Sequence, residues 1–220
     1  MRAVELKRKA RQIVKALEAE YPDASCSLES TDALELLIAT RLSAQCTDER
    51  VNIVTKELFA RYRTMEDYAG ADIVEIERII HSCGLYKTKA RDIRAMCALL
   101  LEKFGGVIPG SIEELTKLPG VGRKTANLMM GDIFGKPAIV VDTHCIRLSN
   151  RLGLVHSTDP YKVELALREI VPPESSSMLC HRFVWHGRAV CRARSPQCAE
   201  CCLAGMCDYI KTLDKMPQVE

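Results

Sequence analysis

Apolar residues recur at helical spacing along almost the whole chain, and this pattern constrains the fold more than any other feature. Val51, Val54 and Leu58 form one such stripe, and similar stripes run through residues 73–80 and 90–100. The alternation of apolar and polar residues that is typical of strands is missing, and the one strand-like piece, 138–141, is too short to build a sheet. We therefore predict an all-α protein of about ten helices joined by short loops.

Helix start signals support this pattern at defined positions. Ser111 is followed three residues later by Glu114, which is the spacing of a capping box. Asp159 precedes Pro160, so an N-cap residue stands before a proline suited to the first helical position. These signals predict helices that begin near residues 112 and 160.

Length, charge and cysteine content exclude several classes of protein. With 220 residues the chain can bury the core of one domain or of two small ones, and its net charge of +2 excludes a strongly basic coating. No apolar run approaches the ~20 residues that span a bilayer, and the N-terminus lacks a signal-peptide pattern. Eleven cysteines without an export signal argue against a disulfide framework. We expect a cytoplasmic protein without membrane contact, whose cysteines bind a metal or fill the core.

Basic residues concentrate at two places in the sequence. Six lysines and arginines against one acid lie within residues 1–15, and Arg188, Arg192 and Arg194 form a second cluster. If the two ends of the chain meet in the fold, they form one face that attracts phosphates. Two separate solvated helix faces would explain the same charges equally well.

Four cysteines near the C-terminus have the spacing of a metal centre. Cys191, Cys198, Cys201 and Cys207 follow C-x6-C-x2-C-x5-C within 17 residues. Thiolates this close in sequence can surround one compact centre, and they suit zinc or an iron–sulfur cluster. The run differs from that of ferredoxins and contains only one of the two C-x2-C pairs usual in zinc sites. The spacing therefore predicts a metal centre, leaves both metals open and makes Cys202 a non-ligand.

The loop between the first two of these cysteines carries Arg192 and Arg194. A metal centre would fix both ends of the loop and present the two charges at low entropic cost. The predicted role of the centre is therefore to shape a DNA-binding loop rather than to perform chemistry.

Two glycines mark a hairpin in the middle of the chain. Residues 118–121 are predicted to turn between a short helix, 111–117, and a second helix from Gly122 to about Gly131. Gly120 and Gly122 permit the positive φ or close backbone approach that a turn against a phosphate requires. The N–H groups at the start of the second helix point outward, where an anion can bind.

Lys124 lies in the first turn of that second helix, beside Arg123. The positive end of the helix dipole and the neighbouring guanidinium disfavour another positive charge, which favours a neutral, nucleophilic amine. Asp142 follows 18 residues later, either as the N-cap of a helix or as a carboxylate that stabilises positive charge or moves a proton. On the residues alone, Lys124 is either another phosphate contact or a nucleophile.

Several segments, taken in order, closely resemble the endonuclease III family, which consists of DNA glycosylase/AP lyases of the helix-hairpin-helix superfamily. They are the lysine hairpin, Val-Asp-Thr-His at 141–144 and the four-cysteine run. Leu-Ser-Ala-Gln-Cys-Thr-Asp at 42–48 and Gly-Leu-Tyr-x-x-Lys-Ala at 84–90 look like further family segments. The resemblance extends from about Glu18 to Tyr209.

The resemblance implies two helical domains with DNA in the cleft between them. Residues 26–136 would form a six-helix domain that contains the hairpin. Residues 1–25 and 137–220 would form a second, discontinuous domain in which the four cysteines hold a [4Fe-4S] cluster. The two basic ends would then share one domain.

The implied function is that of a bifunctional DNA glycosylase and AP lyase of base excision repair. It would act on double-stranded DNA that contains oxidised pyrimidines or abasic sites. Lys124 would attack C1′ of a nucleotide flipped out of the stack, expel the base and form a Schiff base. β-Elimination would then cut the strand on the 3′ side, while Asp142 would help to activate the amine and stabilise positive charge on the sugar. Gln45 and Leu85 match loop residues that fill the gap left by the flipped base and wedge the duplex.

Further DNA contacts and the cellular setting complete these expectations. Asp48 either lines the base pocket or starts a helix, His144 either contacts a phosphate or packs against its helix, and Cys46 departs from the family segment. We expect a monomer associated with the nucleoid. The remaining candidate contacts lie on the hairpin and in the cysteine loop: Gly120, Gly122, Arg123, Arg192 and Arg194.

Two other functions fit part of this pattern. Monofunctional glycosylases of the same superfamily carry the cluster and the aspartate but no lysine at this hairpin position, and they activate water instead. A non-enzymatic helix-hairpin-helix module, with zinc, would use the hairpin and the arginines but would leave Lys124 and Asp142 unexplained. Lys124 is therefore the residue that separates the three functions.

Overall fold

The structure, a computed structural model, describes the backbone of residues 2–213 and the side chains of residues 3–212. Within this range the chain forms twelve α-helices and four short 3-10 turns, and it contains no strand. The predicted all-α class is thereby confirmed. The strand-like residues 138–141 lie in an irregular segment without regular secondary structure.

The first of two compact units is Cys26–Gly135, and it contains the hairpin. Its core includes side chains without any exposed surface, such as Leu37, Ile76 and Ile93. Helix α6 packs against α2, α4 and α5, and α8 packs against α2 and α7. The helices are α2 (Ala33–Leu42), α3 (Asp48–Arg61), α4 (Met65–Gly70), α5 (Ile73–Ile80), α6 (Tyr86–Phe104), α7 (Ile112–Leu115) and α8 (Arg123–Asp132).

The second unit combines the chain up to Ser25 with the chain from Lys136 onward. Helix α1 packs against α10 and α11, and α9 packs against the same two helices. Ile13, Leu17 and Phe183 are completely buried in it. The helices are α1 (Arg2–Glu20), α9 (Thr143–Arg151), α10 (Pro160–Ile170), α11 (Ser176–Ala189) and α12 (Asp208–Leu213). The basic N-terminal helix and the cysteine segment therefore belong to one unit.

The predicted helix starts are formed by the expected caps. Asp159 accepts a hydrogen bond of 2.9 Å from the Lys162 N–H, and α10 begins at Pro160. Ser111 caps α7 by accepting from the Glu114 N–H at 3.2 Å. The Glu114 carboxylate bonds the Ser111 hydroxyl at 2.8 Å rather than a backbone N–H, so only half of a capping box forms. None of the described helices combines the length and the apolar character that a membrane span requires.

Candidate nucleic-acid site and cysteine centre

The hairpin between α7 and α8 depends on its two glycines in different ways. Gly120 has a φ of +74°, and a Cβ there would lie 2.5 Å from Arg41 Nε and 2.9 Å from Asp92 Oδ2. Gly122 has a φ of −96° as the N-cap of α8, and a Cβ there would meet nothing within 4 Å. A side chain is therefore disfavoured at Gly120 by both its backbone conformation and its neighbours, whereas beside Gly122 the backbone faces open space.

The ion pair between Arg41 and Asp92 lies against the hairpin at Gly120. Arg41, on α2, donates from Nε to Asp92 Oδ2 on α6 at 2.8 Å, and its Nη2 lies 2.7 Å from the same oxygen. The side chains are 12% and 25% exposed, so the pair is largely shielded from water. This contact could not be predicted from the sequence, because the two residues are 51 positions apart and neither belongs to a recognisable pattern.

Lys124 is the second residue of α8, and its side chain is exposed. Burial is the main cause that raises the pKa of the nearby Cys26 thiol to about 11. A hydrogen bond with the Leu28 backbone and the positive charge of Lys124 act to lower this pKa, and the negative charges of Asp132 and Asp48 act to raise it. Lys124, Asp48 and Asp132 therefore each lie close enough to Cys26 to act on its thiol electrostatically.

Asp142 caps helix α9. Its Oδ1 accepts a hydrogen bond of 2.7 Å from the Cys145 N–H, and the residue is half-buried. The cap uses one carboxylate oxygen and leaves Oδ2 available for another partner, so the cap and a chemical role are compatible. Lys124 and Asp142 belong to different units, and their pairing stays a prediction.

His144 is the second residue of α9 and lies close to a second helix, α11. Its Nδ1 is 3.0 Å from the NH2 group of Arg147. A Cβ at Gly187 of α11 would overlap the imidazole and would lie 2.9 Å from the Arg147 guanidinium. Gly187 thus lets α9 and α11 approach closely at this pair, and the half-buried histidine is fixed against its helix.

Two arginines of α9 hold the first part of the cysteine loop. Arg147 donates from Nε to the Cys191 carbonyl at 3.1 Å. Arg151 donates to the carbonyls of Arg192 at 2.7 Å and Ala193 at 3.0 Å, and its NH1 group lies 3.3 Å from Cys191 Sγ. The contacts of both arginines with the cysteine loop were not predicted from the sequence. Their spacing of four residues places them on one face of the helix that Asp142 starts, and this spacing is the sequence feature that could have indicated a shared partner.

The four predicted metal ligands surround one cavity. Its lining comprises Cys191, Cys198, Cys201 and Cys207 together with Arg151, Tyr209 and neighbouring apolar residues. Cys202 is exposed and does not belong to this lining. Between residues 2 and 213, no group of three or more His, Cys, Asp or Glu side chains is arranged to hold a single metal ion.

A buried histidine stands beside the cysteine centre. His186 Nε2 is 3.4 Å from Cys201 Sγ, and its Nδ1 is 3.0 Å from the Tyr21 hydroxyl. Burial lowers the pKa of His186 to about 4, so the ring is neutral at pH 7. A hydrogen bond to the hydroxyl on one side leaves the other nitrogen directed at the thiol.

Left-handed backbone conformations coincide with the predicted DNA-contact loops. The non-glycine residues with positive φ in the described chain are Gln45 at 55°, Leu85 at 48° and Ser195 at 50°. Gln45 and Leu85 are the predicted wedge residues, and both are exposed, Leu85 to 55%. Ser195 follows Arg194 in the cysteine loop, where Arg192 and Arg194 are also exposed. Such conformations persist only where the surroundings enforce them, and they cluster at functional sites.

Asp48 and its neighbour confirm the helix-start interpretation. Thr47 is the N-cap of α3 and accepts from the Arg50 N–H at 3.3 Å, and Asp48 is the first helical residue. An acidic residue in this position also complements the helix dipole. A role of Asp48 in the base pocket stays a prediction.

Comparison with known proteins places the chain in a family. Residues 38–173 match the HhH-GPD superfamily of base excision DNA repair proteins. This match covers more than half of the chain, and the chain belongs to that superfamily. The predicted class, a DNA glycosylase of the helix-hairpin-helix type, is confirmed.

Individual relatives are similar over nearly the full length. Endonuclease III of Synechocystis sp. is 47% identical over 202 residues, which cover 91% of this chain and 92% of that protein. Endonuclease III of Bacillus subtilis is 45% identical over 89% of this chain and 90% of its own. The solved structure of a trapped endonuclease III–DNA covalent intermediate, an estranged-adenine complex, is 46% identical with a TM-score of 0.88, covering 94% of this chain and 98% of that one. These similarities confirm the predicted enzyme class, that of the DNA glycosylase/AP lyases.

Proposed function

We propose that this protein removes oxidised pyrimidines from double-stranded DNA and cuts the abasic strand on the 3′ side through a lysine Schiff base. The observation that carries the proposal is the position of Lys124, an exposed amine in the first turn of α8 directly after the hairpin. A similar solved structure is that of a covalent endonuclease III–DNA intermediate, and a covalent intermediate requires a nucleophile. A monofunctional glycosylase, which activates water, would not need a nucleophilic amine at this position.

The hairpin is proposed to bind a DNA phosphate through its backbone. The first N–H groups of α8 have no partner within the helix, and the positive end of the dipole lies at the same place. The open space beside Gly122 allows a phosphate to approach the main chain closely. Arg123 adds positive charge, while Lys124, next to it, stays available for the sugar.

The proposed reaction begins with a nucleotide flipped out of the duplex. The lone pair of Lys124 Nζ attacks C1′, the C1′–N bond breaks with its electrons leaving on the base, and the base takes up a proton. The amine loses a proton, and opening of the sugar ring gives the imine. Loss of a C2′ proton then expels the 3′ phosphate oxygen, which cuts the strand. Water hydrolyses the remaining imine and returns the free lysine.

Asp142 is the proposed catalytic carboxylate. It would accept the proton that the attacking amine loses and stabilise positive charge on the sugar. Its Oδ1 is fixed by the bond to the Cys145 N–H, so the carboxylate has a defined orientation before substrate binds. The cap therefore supports the chemical role rather than competing with it.

The cysteine centre is proposed to hold a [4Fe-4S] cluster on Cys191, Cys198, Cys201 and Cys207. The residues fit this group, because four thiols line one common cavity and thiolates are the usual ligands of such clusters. When bound, the cluster supplies a rigid frame for the loop rather than a step of the reaction. Arg151 fixes the carbonyls of the loop, so the exposed Arg192 and Arg194 are presented to the DNA backbone together.

Gln45 and Leu85 are the proposed wedge, and His144 is a proposed phosphate contact. Both wedge residues are exposed at left-handed turns, so their side chains project from the surface. An apolar wedge such as Leu85 can enter the stack and an amide can bond an unpaired base. The acting form is proposed to be a monomer on nucleoid DNA in the cytoplasm.

An incision panel tests this function and the lesion class together. Duplexes with one oxidised pyrimidine, one mismatched uracil or one abasic site are incubated with and without borohydride, which reduces an imine to a stable amine. We expect strand cutting at the oxidised pyrimidine and the abasic site, with a trapped complex in both. Lys124→Gln should lose trapping, whereas Lys117→Gln, on the other side of the same hairpin, should keep it. Base release by the native protein without any trapped complex would contradict the lyase mechanism.

A metal analysis tests the cofactor independently of activity. A brown protein with about four irons per chain and absorbance near ~400 nm is expected for a [4Fe-4S] cluster. A colourless protein with stoichiometric zinc would contradict the cluster.

A further inference from the structure

Lys89 is a buried lysine that the proposed reaction does not use. Its side chain has no exposed surface, and its Nζ donates at 2.8 Å to the carbonyl of Leu42 and at 2.8 Å to the carbonyl of Cys83. Burial lowers the pKa of its ammonium. A buried charge is unfavourable for the core, and an apolar side chain of similar length would fill the same space without that penalty. Packing alone does not account for a lysine at this position.

Each of the two carbonyls belongs to the last residue of a helical segment. Leu42 is the last residue of α2, and Cys83 is the last residue of the 3-10 turn His81–Cys83. Carbonyls at these positions have no partner further along the helix, and the ammonium also complements the negative ends of the helix dipoles. Lys89 thus bonds one terminal carbonyl at each of two helix ends that are far apart in the sequence.

Each carbonyl lies immediately before a loop that carries one proposed wedge residue. These two wedge loops are residues 43–47 and residues 84–85. Gln45 follows Leu42 by three residues and Leu85 follows Cys83 by two, and both have left-handed backbone conformations. The Lys89 N–H donates to the Leu85 carbonyl at 3.0 Å, which is the first i→i−4 bond of α6 and does not depend on the lysine side chain. The Lys89 ammonium therefore bonds the main chain immediately before both wedge loops.

We propose that Lys89 is a positioning residue that fixes the spacing of the two wedge loops, so that Gln45 and Leu85 enter the DNA together. The inference rests on the proposed wedge function of these two residues. Two separately mobile loops would have to be ordered by the DNA, which reduces the binding energy available for opening the stack. The buried ammonium makes that arrangement part of the folded protein.

The test compares one lesion in two settings. In a fully paired duplex the enzyme must open the stack, whereas in a duplex with an unpaired bubble around the lesion the nucleotide is already free, so the wedge contributes little. Lys89→Met should lower kcat/KM by about tenfold or more on the paired duplex and by less than about threefold in the bubble. Lys103→Met, an exposed lysine at the other end of α6, should leave both values unchanged.

Combination with a wedge variant separates positioning from general damage. The double variant Gln45→Ala/Leu85→Ala should lose activity on the paired duplex by itself, and adding Lys89→Met should cause little further loss, because residues that act as a unit are not additive. Equal losses of Lys89→Met on paired and bubble substrates would overturn the inference.

The possible failures can be told apart. If the double variant keeps full activity on the paired duplex, the wedge assignment itself fails; if only Lys89→Met is silent, the inference on Lys89 fails alone. Lys89→Gln, whose amide keeps an N–H donor but reaches less far, should give an intermediate loss. If circular dichroism shows that neither Lys89 variant folds, the residue is a requirement of the core and the inference is also overturned.

Discussion

Replacement of Gly120 by alanine tests the structural account of the hairpin in a quantitative way. An alanine at a φ of +74° costs about 1–2 kcal/mol because its Cβ approaches the backbone in the left-handed region. The same Cβ would stand 2.5–2.9 Å from Arg41 and Asp92, so the ion pair must move. Weakening its charged hydrogen bonds adds about 1–2 kcal/mol, discounted for the partial exposure of the pair. We therefore expect Gly120→Ala to lower the free energy of unfolding by about 2–4 kcal/mol.

Thermal and urea unfolding followed by circular dichroism measure this loss, which corresponds to a melting temperature lower by roughly 4–16 °C for a chain of this size. Gly122→Ala is the matched control, because its Cβ meets nothing within 4 Å at a φ of −96°. It should cost less than about 1 kcal/mol, the range for a changed N-cap.

A double-mutant cycle identifies the source of the loss. In an Arg41→Ala background, Gly120→Ala should cost only the backbone part, about 1–2 kcal/mol. Equal losses for the two glycine variants would contradict the cost assigned to a side chain at Gly120. An unchanged loss in the Arg41→Ala background would exclude the ion pair as a source of that cost.

The other predictions concern the carboxylate, the cysteine loop and the buried lysine. Asp142→Asn should keep the cap on the Cys145 N–H, so that stability changes by less than about 1 kcal/mol, while strand cutting falls at least about 100-fold. If strand cutting falls only in proportion to the loss of folded protein, Asp142 is only a cap. Arg192→Ala should weaken binding to all DNA sequences and reduce the salt slope of log K by about 0.9, and an unchanged slope would remove it from the interface. Because the folded-state pKa of Lys89 lies below its ordinary value of 10.5, the folded protein releases this proton while the unfolded chain still holds it. Below the folded-state pKa the buried charge of Lys89 lowers stability, and this penalty is relieved as the pH rises towards 10.5. Over that window the free energy of unfolding of the native protein, measured with urea, should rise relative to that of Lys89→Met. A constant difference between the two proteins across the window would contradict the lowered pKa.

Local features of the fold could be predicted from the sequence because they depend on neighbouring residues. Asp142 and Asp159 cap the helices that follow them, and Gly120 adopts the positive φ that a turn demands. The four cysteines line one cavity, because their short spacing leaves few other arrangements. In each case the physical cause acts over a few positions of the chain.

Contacts between distant segments could not be predicted in the same way. The Arg41–Asp92 pair beneath the hairpin and the bond from Arg151 to the Arg192 carbonyl join residues 51 and 41 positions apart. Lys89 belongs to a recognised family segment, but its buried ammonium becomes apparent only when two helix ends meet around it. A single charged residue in an amphipathic helix gives no indication of whether it faces water or a carbonyl.

Peptide mapping of the trapped complex shows whether Lys124 itself becomes bonded to the sugar. The native protein is reacted with an abasic duplex and borohydride, the DNA is digested, and mass spectrometry locates the sugar remnant on the protein. We expect the added mass on Lys124 and no comparable adduct in the Lys124→Gln variant. An adduct on another lysine or on the N-terminal amine of the native protein, with Lys124 unmodified, would show that Lys124 is not the nucleophile.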